Sequence, residues 1–153
     1  MNVSMNTLRL LVTGAALAVT LLGCSHLVVL HDPLSATEHN DLGVAYERSG
    51  KFDLAATQYR RSLRLDDRQA RTWVNLGNAE AAGGRWPAAQ KSYRRALREA
   101  PGDADAMNNL AVALLHTGGS RDEARKLAGL AVAAGGERDS IYRATLEEAS
   151  REN

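Results

Sequence analysis

The chain is poor in the residues that staple or interrupt a fold: one cysteine, three prolines and one phenylalanine in 153 residues. A lone thiol excludes an internal disulfide framework and any Cys-based zinc site. Aromatic residues make up 5% of the chain, so it has few of the β-branched and aromatic runs that seed sheets. Charge of one sign is also missing. The formal net charge is +1, and bulk charge gives no argument for nucleic acid as a partner. What remains is a composition led by Ala, Leu and Arg, residues that lose little rotamer freedom in helices. These features predict an all-α chain.

The first 23 residues read differently from the rest. A polar start with Arg9 as its only charge is followed by the uncharged run 10–22. Thirteen helical residues rise about 20 Å, short of the roughly 30 Å of a bilayer core. The layout is that of a signal peptide over 1–23. It ends Leu21-Leu22-Gly23-Cys24, which resembles the bacterial lipobox. The resemblance implies cleavage before Cys24 and its lipidation, which would tether the chain to a membrane through buried acyl chains. Ser25 follows, and the sorting rule of such lipoproteins implies the periplasmic face of the outer membrane in a Gram-negative host. Cleavage would remove Arg9 alone among the charged residues, leaving 18 of each sign.

Residues 24–34 form a tether in which Pro33 biases Asp32 away from helix. Ser35 and Glu38 then make a capping-box pattern that starts the helical part. From here the chain repeats itself every 34 residues. Leu42-Gly43 returns as Leu76-Gly77 and Leu110-Ala111; Gly50 returns as Gly84, Ala55 as Ala89 and Tyr59 as Tyr93. Trp73, Leu76, Gly77, Ala89, Tyr93, Ala96 and Pro101 fall on the spacing of the tetratricopeptide repeat, and the chain resembles that family.

The resemblance implies a right-handed α-solenoid of three helix-turn-helix repeats, 36–69, 70–103 and 104–134, within 35–134. Helices A are expected at about 36–49, 70–82 and 104–117, and helices B at about 53–66, 86–99 and 121–134. Gly50 and Gly84 are suited to left-handed turns, and Tyr59 and Tyr93 to the space between repeats. Gly118-Gly119-Ser120 adds one residue to repeat three, so Ala124, Ala128 and Ala131 match only after a shift of one. Residues 135–153 are expected to supply a capping helix, about 138–151, with Ile141, Leu146 and Ala149 toward the array.

No Ser/His/Asp or Cys/His set, Gly-rich phosphate loop or HExxH is visible in the chain. The expectation is a scaffold rather than an enzyme, with no catalytic residue, metal or cofactor. His39 shares its repeat position with Trp73 and Met107 and reads as a packed histidine. His116, in the last helical turn, suits the dipole there.

In tetratricopeptide arrays helices A line a concave groove that binds partners. Carried onto this chain, the groove residues are Asn40, Asp41, Val44, Arg71, Asn75, Asn78, Asn108, Asn109 and Val112, with Thr37, Glu47, Arg48, Val74, Ala81, Asp105, Leu115 and His116 at further groove places of the three repeats. An Asn amide offers both a donor and an acceptor, so it can pair with a peptide unit. Asn75 and Asn109 are equivalent and resemble an asparagine ladder; capping a neighbouring helix or facing water is the alternative. The cationic clamp of the chaperone-binding members is not matched at Asn40, Val44, Asn108 and Val112. On helices B, Arg60, Arg61 and Arg64 recur as Arg94, Arg95 and Arg98, while residues 99–153 hold ten acids against six bases. This basic outer stripe reads either as a solvated face or as a contact for anionic headgroups or an acidic partner.

The expected role is a membrane-anchored adaptor of the bacterial envelope. Its groove would take a peptide or helix of a pilus, secretin or secretion component, as in the pilotin and tight-adherence lipoproteins it resembles. Docking a cell-wall hydrolase or peptidase, or binding glycan directly, are the alternatives. A weak homo-oligomer through terminal repeats is also expected.

Overall fold

The computed structural model describes residues 33–151. The expected signal peptide, Cys24 and most of the tether lie outside the described residues. Within them the chain forms seven helices and no strand: α1 (Ala36–Arg48), α2 (Phe52–Leu65), α3 (Ala70–Ala82), α4 (Trp86–Glu99), α5 (Ala104–His116), α6 (Arg121–Ala134) and α7 (Asp139–Ser150). It is a right-handed α-solenoid.

The starts follow from local chemistry. Ser35 Oγ accepts from the Glu38 amide while the Glu38 carboxylate accepts from Ser35, completing the capping box. These bonds also hold the Glu38 carboxyl below its ordinary range. Asp103 and Ser120 cap α5 and α6 in the same way, each accepting from the amide three residues on. Helices α1, α3 and α5 end alike. The amides of Lys51, Arg85 and Gly119 reach back to the carbonyls of Tyr46, Glu80 and Leu114, over glycines at φ +70°, +74° and +65°. This is the Schellman stop, and the left-handed residue it needs is cheapest as glycine. The inserted residue of repeat three is Ser120, which delays α6 by one position and supplies a cap that α2 and α4 lack.

Successive helices pack on one another. In addition α1, α3, α5 and α7 touch in series, whereas α2, α4 and α6 do not meet. Closer spacing on the α1–α3–α5 side curves the array and makes that side concave.

Inside each of the first two repeats a glycine faces a tyrosine. A Cβ on Gly43 would come within 2.5 Å of the Tyr59 ring, and one on Gly77 would meet Tyr93 as closely. The rings therefore lie against their own helix A as well as between repeats, where Tyr59 joins Leu76 and Ala79. In repeat three Ala111 and Ala128 stand at these places, both fully buried. Without a ring, the glycine is no longer required.

Helix α7 corrects one expectation. Ile141 points outward at 54% exposure; Tyr142 and Thr145 are buried instead, beside Ala149, which faces the array as expected. Tyr142 reaches α5, its hydroxyl donating to Asp105 Oδ1 at 2.8 Å. A tyrosine with a polar tip seals the end of the array where Ile141 has no acceptor to meet. Burial, then that carboxylate, pushes the Tyr142 phenol up to about 12. Leu146 packs half-buried on the main core, as expected.

Candidate functional site: the concave groove

The curvature set by the α1–α3–α5 contacts leaves an open cavity of about 430 Å³ between α1 and α3. Asn40, Val44, Glu47, Arg48, Arg71 and Asn75 line it. They come together because residues four or so apart on one helix share a face, and the 34-residue period lays the next helix A alongside.

The asparagines bridge neighbouring helices A. Asn75 Nδ2 donates to Asn40 Oδ1 at 3.1 Å, and Asn40 Oδ1 also accepts from Thr72 Oγ1 at 3.2 Å. One repeat further, Asn109 Nδ2 donates to Asn78 Oδ1 at 3.0 Å, and the Tyr93 hydroxyl donates to the same oxygen at 2.9 Å. Asn75 and Asn109 each keep a carbonyl oxygen and one N–H for a ligand, whereas Asn40 Oδ1 and Asn78 Oδ1 are committed to the fold. Among the described residues the ladder is therefore half structural.

Asn108 and its repeat equivalent Val74, 3% exposed in the core, do not belong to the groove surface. Asn108 is 3% exposed, with its Oδ1 buried and unpartnered, because its helix face turns into the α5 core. Asp41 is exposed and accepts from Asn40 Nδ2 at 3.4 Å; Val112 is half-buried. Asp105 is held by Tyr142 and Arg138, which closes the α5 end.

The charge of the groove follows from who is already paired. Glu47 Oε2 accepts the Tyr59 hydroxyl at 2.7 Å. Burial and that hydrogen bond drive the Tyr59 phenol well above its ordinary range, and burial does the same to Tyr93. Arg48 and Arg71 are exposed and make no ion pair among the described residues. The open part of the groove thus presents two guanidinium groups, the Asn75 amide and the Val44 side chain. These suit carboxylate or carbonyl oxygens with an apolar side chain beside them.

The outer stripe is less uniform than its repetition suggests. Arg60 pairs with Glu80 at 2.5 Å and Arg94 with Glu123 at 2.9 Å, while Arg64 and Arg98 are exposed and unpaired among the described residues. Arg95 pairs with Asp67 at 2.7 Å and lies over the Trp73 ring at 5.7 Å. His39 is packed as expected, buried with Nδ1 2.8 Å from Gln58 Oε1, whereas His116 is exposed and stacks on Trp86 at 3.9 Å. Sequence reasoning missed Glu80. Its signal is a carboxylate where the chain carries Leu114 one period later.

Stacked helical hairpins with a groove along helices A define a repeat-built solenoid. The tetratricopeptide repeat family model matches residues 40–89 and 74–139, and the chain belongs to this family. Among solved structures it is similar to the first tetratricopeptide domain of Spaghetti (RPAP3) bound to an HSP90 peptide (17% identity, TM-score 0.71, 75% of this chain and 90% of that one). It is also similar to the Yersinia enterocolitica type III secretion chaperone SycD in complex with a peptide of the translocator YopD (21%, 0.68, 74% and 90%). The second such domain of human RPAP3, in complex with an HSP70 peptide, matches at 18%, 0.70, 76% and 96%. No curated protein matches the chain in sequence.

Proposed function

We propose that the chain is a peptide-binding adaptor tethered to a bacterial envelope membrane through lipid on Cys24. The observation that carries the binding half is the open groove of Asn40, Val44, Glu47, Arg48, Arg71 and Asn75, with guanidinium groups that make no ion pair among the described residues and a spare amide. Three structurally similar chains each stand in complex with a peptide, which supports the same use here. The lipobox-like Leu21–Cys24 supports the anchor, and anchor plus groove favour an assembly role in a pilus, secretin or secretion complex.

The test is photo-crosslinking from Val44 in the full-length protein, followed by identification of captured peptides. Arg71→Ala with Asn75→Ala is expected to weaken capture at least tenfold while the melting temperature moves little, since both side chains face the groove. Undiminished capture would sink the groove reading. For the anchor, Cys24→Ser should release the protein from the membrane fraction; a variant that still pellets with membranes refutes it.

A further inference from the structure

A second cavity, of about 420 Å³, opens away from the groove among α2, α3 and α4. Its floor is apolar: Leu63 and Leu76 are 6% and 3% exposed, and Trp73 is half-buried. Its rim is cationic, with Arg60 and Arg64 from α2 and Lys91 from α4. At its base lies Glu80, buried, accepting from Arg60 Nη2 at 2.5 Å and from Ser92 Oγ at 2.7 Å.

One period on, the corresponding places hold Leu114 and, past the inserted residue, Leu127, both packed into the core. A buried carboxylate with its partners is commonly no more stabilising than an apolar set of the same volume, even where its cation is half-exposed. Packing therefore does not account for Glu80. What Glu80 does is fix Arg60, whose side chain is still 46% exposed and whose remaining N–H groups are free to face a ligand. Arg64 and Lys91 make no ion pair among the described residues, so three cations surround one carboxylate that is already engaged.

We propose that this cavity docks an acidic peptide segment of a partner protein. One large apolar side chain sits on the Leu63–Trp73–Leu76 floor, and carboxylates flank it against Arg60, Arg64 and Lys91. Glu80 is the positioning residue. A headgroup layer would meet Arg64 and Lys91 but leave the recessed leucines untouched, so the floor favours a peptide over a lipid surface. The site shares no residue with the groove and stands or falls apart from it.

The test is an NMR titration of the ¹⁵N-labelled full chain with three probes: an acidic octapeptide with a central Leu-Phe pair, its lysine-for-acid counterpart, and phosphatidylglycerol vesicles. The acidic peptide is expected to shift the Trp73 indole and the Ala88 and Lys91 amides saturably. Arg64→Glu with Lys91→Glu should weaken it at least tenfold, while Asn75→Ala changes it less than twofold. Glu80→Gln should move the Arg60 Nε–H resonance and weaken the peptide severalfold. If the acidic peptide leaves Trp73 unmoved, if the basic peptide matches it, or if only vesicles produce the shift, the proposal is overturned.

Discussion

At the junction of repeats one and two the chain buries a carboxylate; at the junction of repeats two and three it packs leucines in the same places, one buried and one half-buried. Glu80 and Ser92 at the first correspond to Leu114 and Leu127 at the second, and Arg60–Glu80 to Arg94–Glu123, whose carboxylate has moved to the half-exposed surface. The helices on either side are the same length and keep the same order, with α6 set one residue later by Ser120. One scaffold thus carries two kinds of interior: an apolar one and a polar one beside an open cavity. The difference teaches that the repeat dictates backbone spacing, while the few buried places between repeats are free to be filled for stability or for binding.

The largest effect should come from breaking the ring-on-glycine packing that repeat three has abandoned. Tyr93→Ala removes a buried ring and a hydrogen bond to Asn78, and should cost about 3–5 kcal/mol by thermal or urea unfolding. Adding Gly77→Ala recreates the alanine pair of repeat three. By itself Gly77→Ala overpacks the ring and should cost about 1–3 kcal/mol. In the Tyr93→Ala background the same change should instead recover stability, since the clash is gone and Ala is the better helix former. Simple additivity of the two costs would show that the glycine and the ring are not a unit.

A smaller change of opposite sign is expected when the first junction is given the interior of the second. Glu80→Leu with Ser92→Leu replaces the buried polar set by apolar side chains and leaves Arg60 at the surface. Stability should rise by about 1–4 kcal/mol, read as a higher melting temperature. The same variant should lose the Trp73 response to acidic peptide. A fall in stability would mean that Glu80 is there to hold the junction together.

These contrasts mark what the chain discloses as a string of residues. The period of 34 is visible because Leu76, Gly77, Gly84, Ala89 and Tyr93 repeat residues of identical type, and each type answers to a geometric demand of the hairpin. Helix ends were equally legible, since Ser35, Gly50 and Gly84 act through local hydrogen bonds. The groove was legible as positions but not as chemistry. Whether Asn75 faces a ligand or Asn40 depends on the distance between two helices, and nothing local encodes it. Asn108 was misplaced for the same reason: its repeat equivalent Asn40 is half-exposed, while Asn108 is buried at 3% exposure. Ile141 and Tyr142 are adjacent, and which of them turned inward was decided by a partner, Asp105, 37 residues away in the chain.

That closing contact offers the smallest and most specific test, at the end of the array. An un-ionised phenol is favoured in the folded chain up to about pH 12 for Tyr142, against about 10 when unfolded. The stability it carries is complete below pH 10 and is lost as pH rises toward 12, because the unfolded chain releases the proton first. Between pH 10 and 11 this one residue should account for about 1 kcal/mol of lost stability. Tyr142→Phe should therefore flatten the alkaline slope of unfolding free energy by that amount, even though it lowers stability at neutral pH by removing the bond to Asp105. Tyr59 and Tyr93, also raised by burial, keep their share of the slope in the variant and supply the internal control. An unchanged slope would mean that α7 frays before the rest unfolds, making the end of the solenoid a separate and weaker unit than the two junctions it caps.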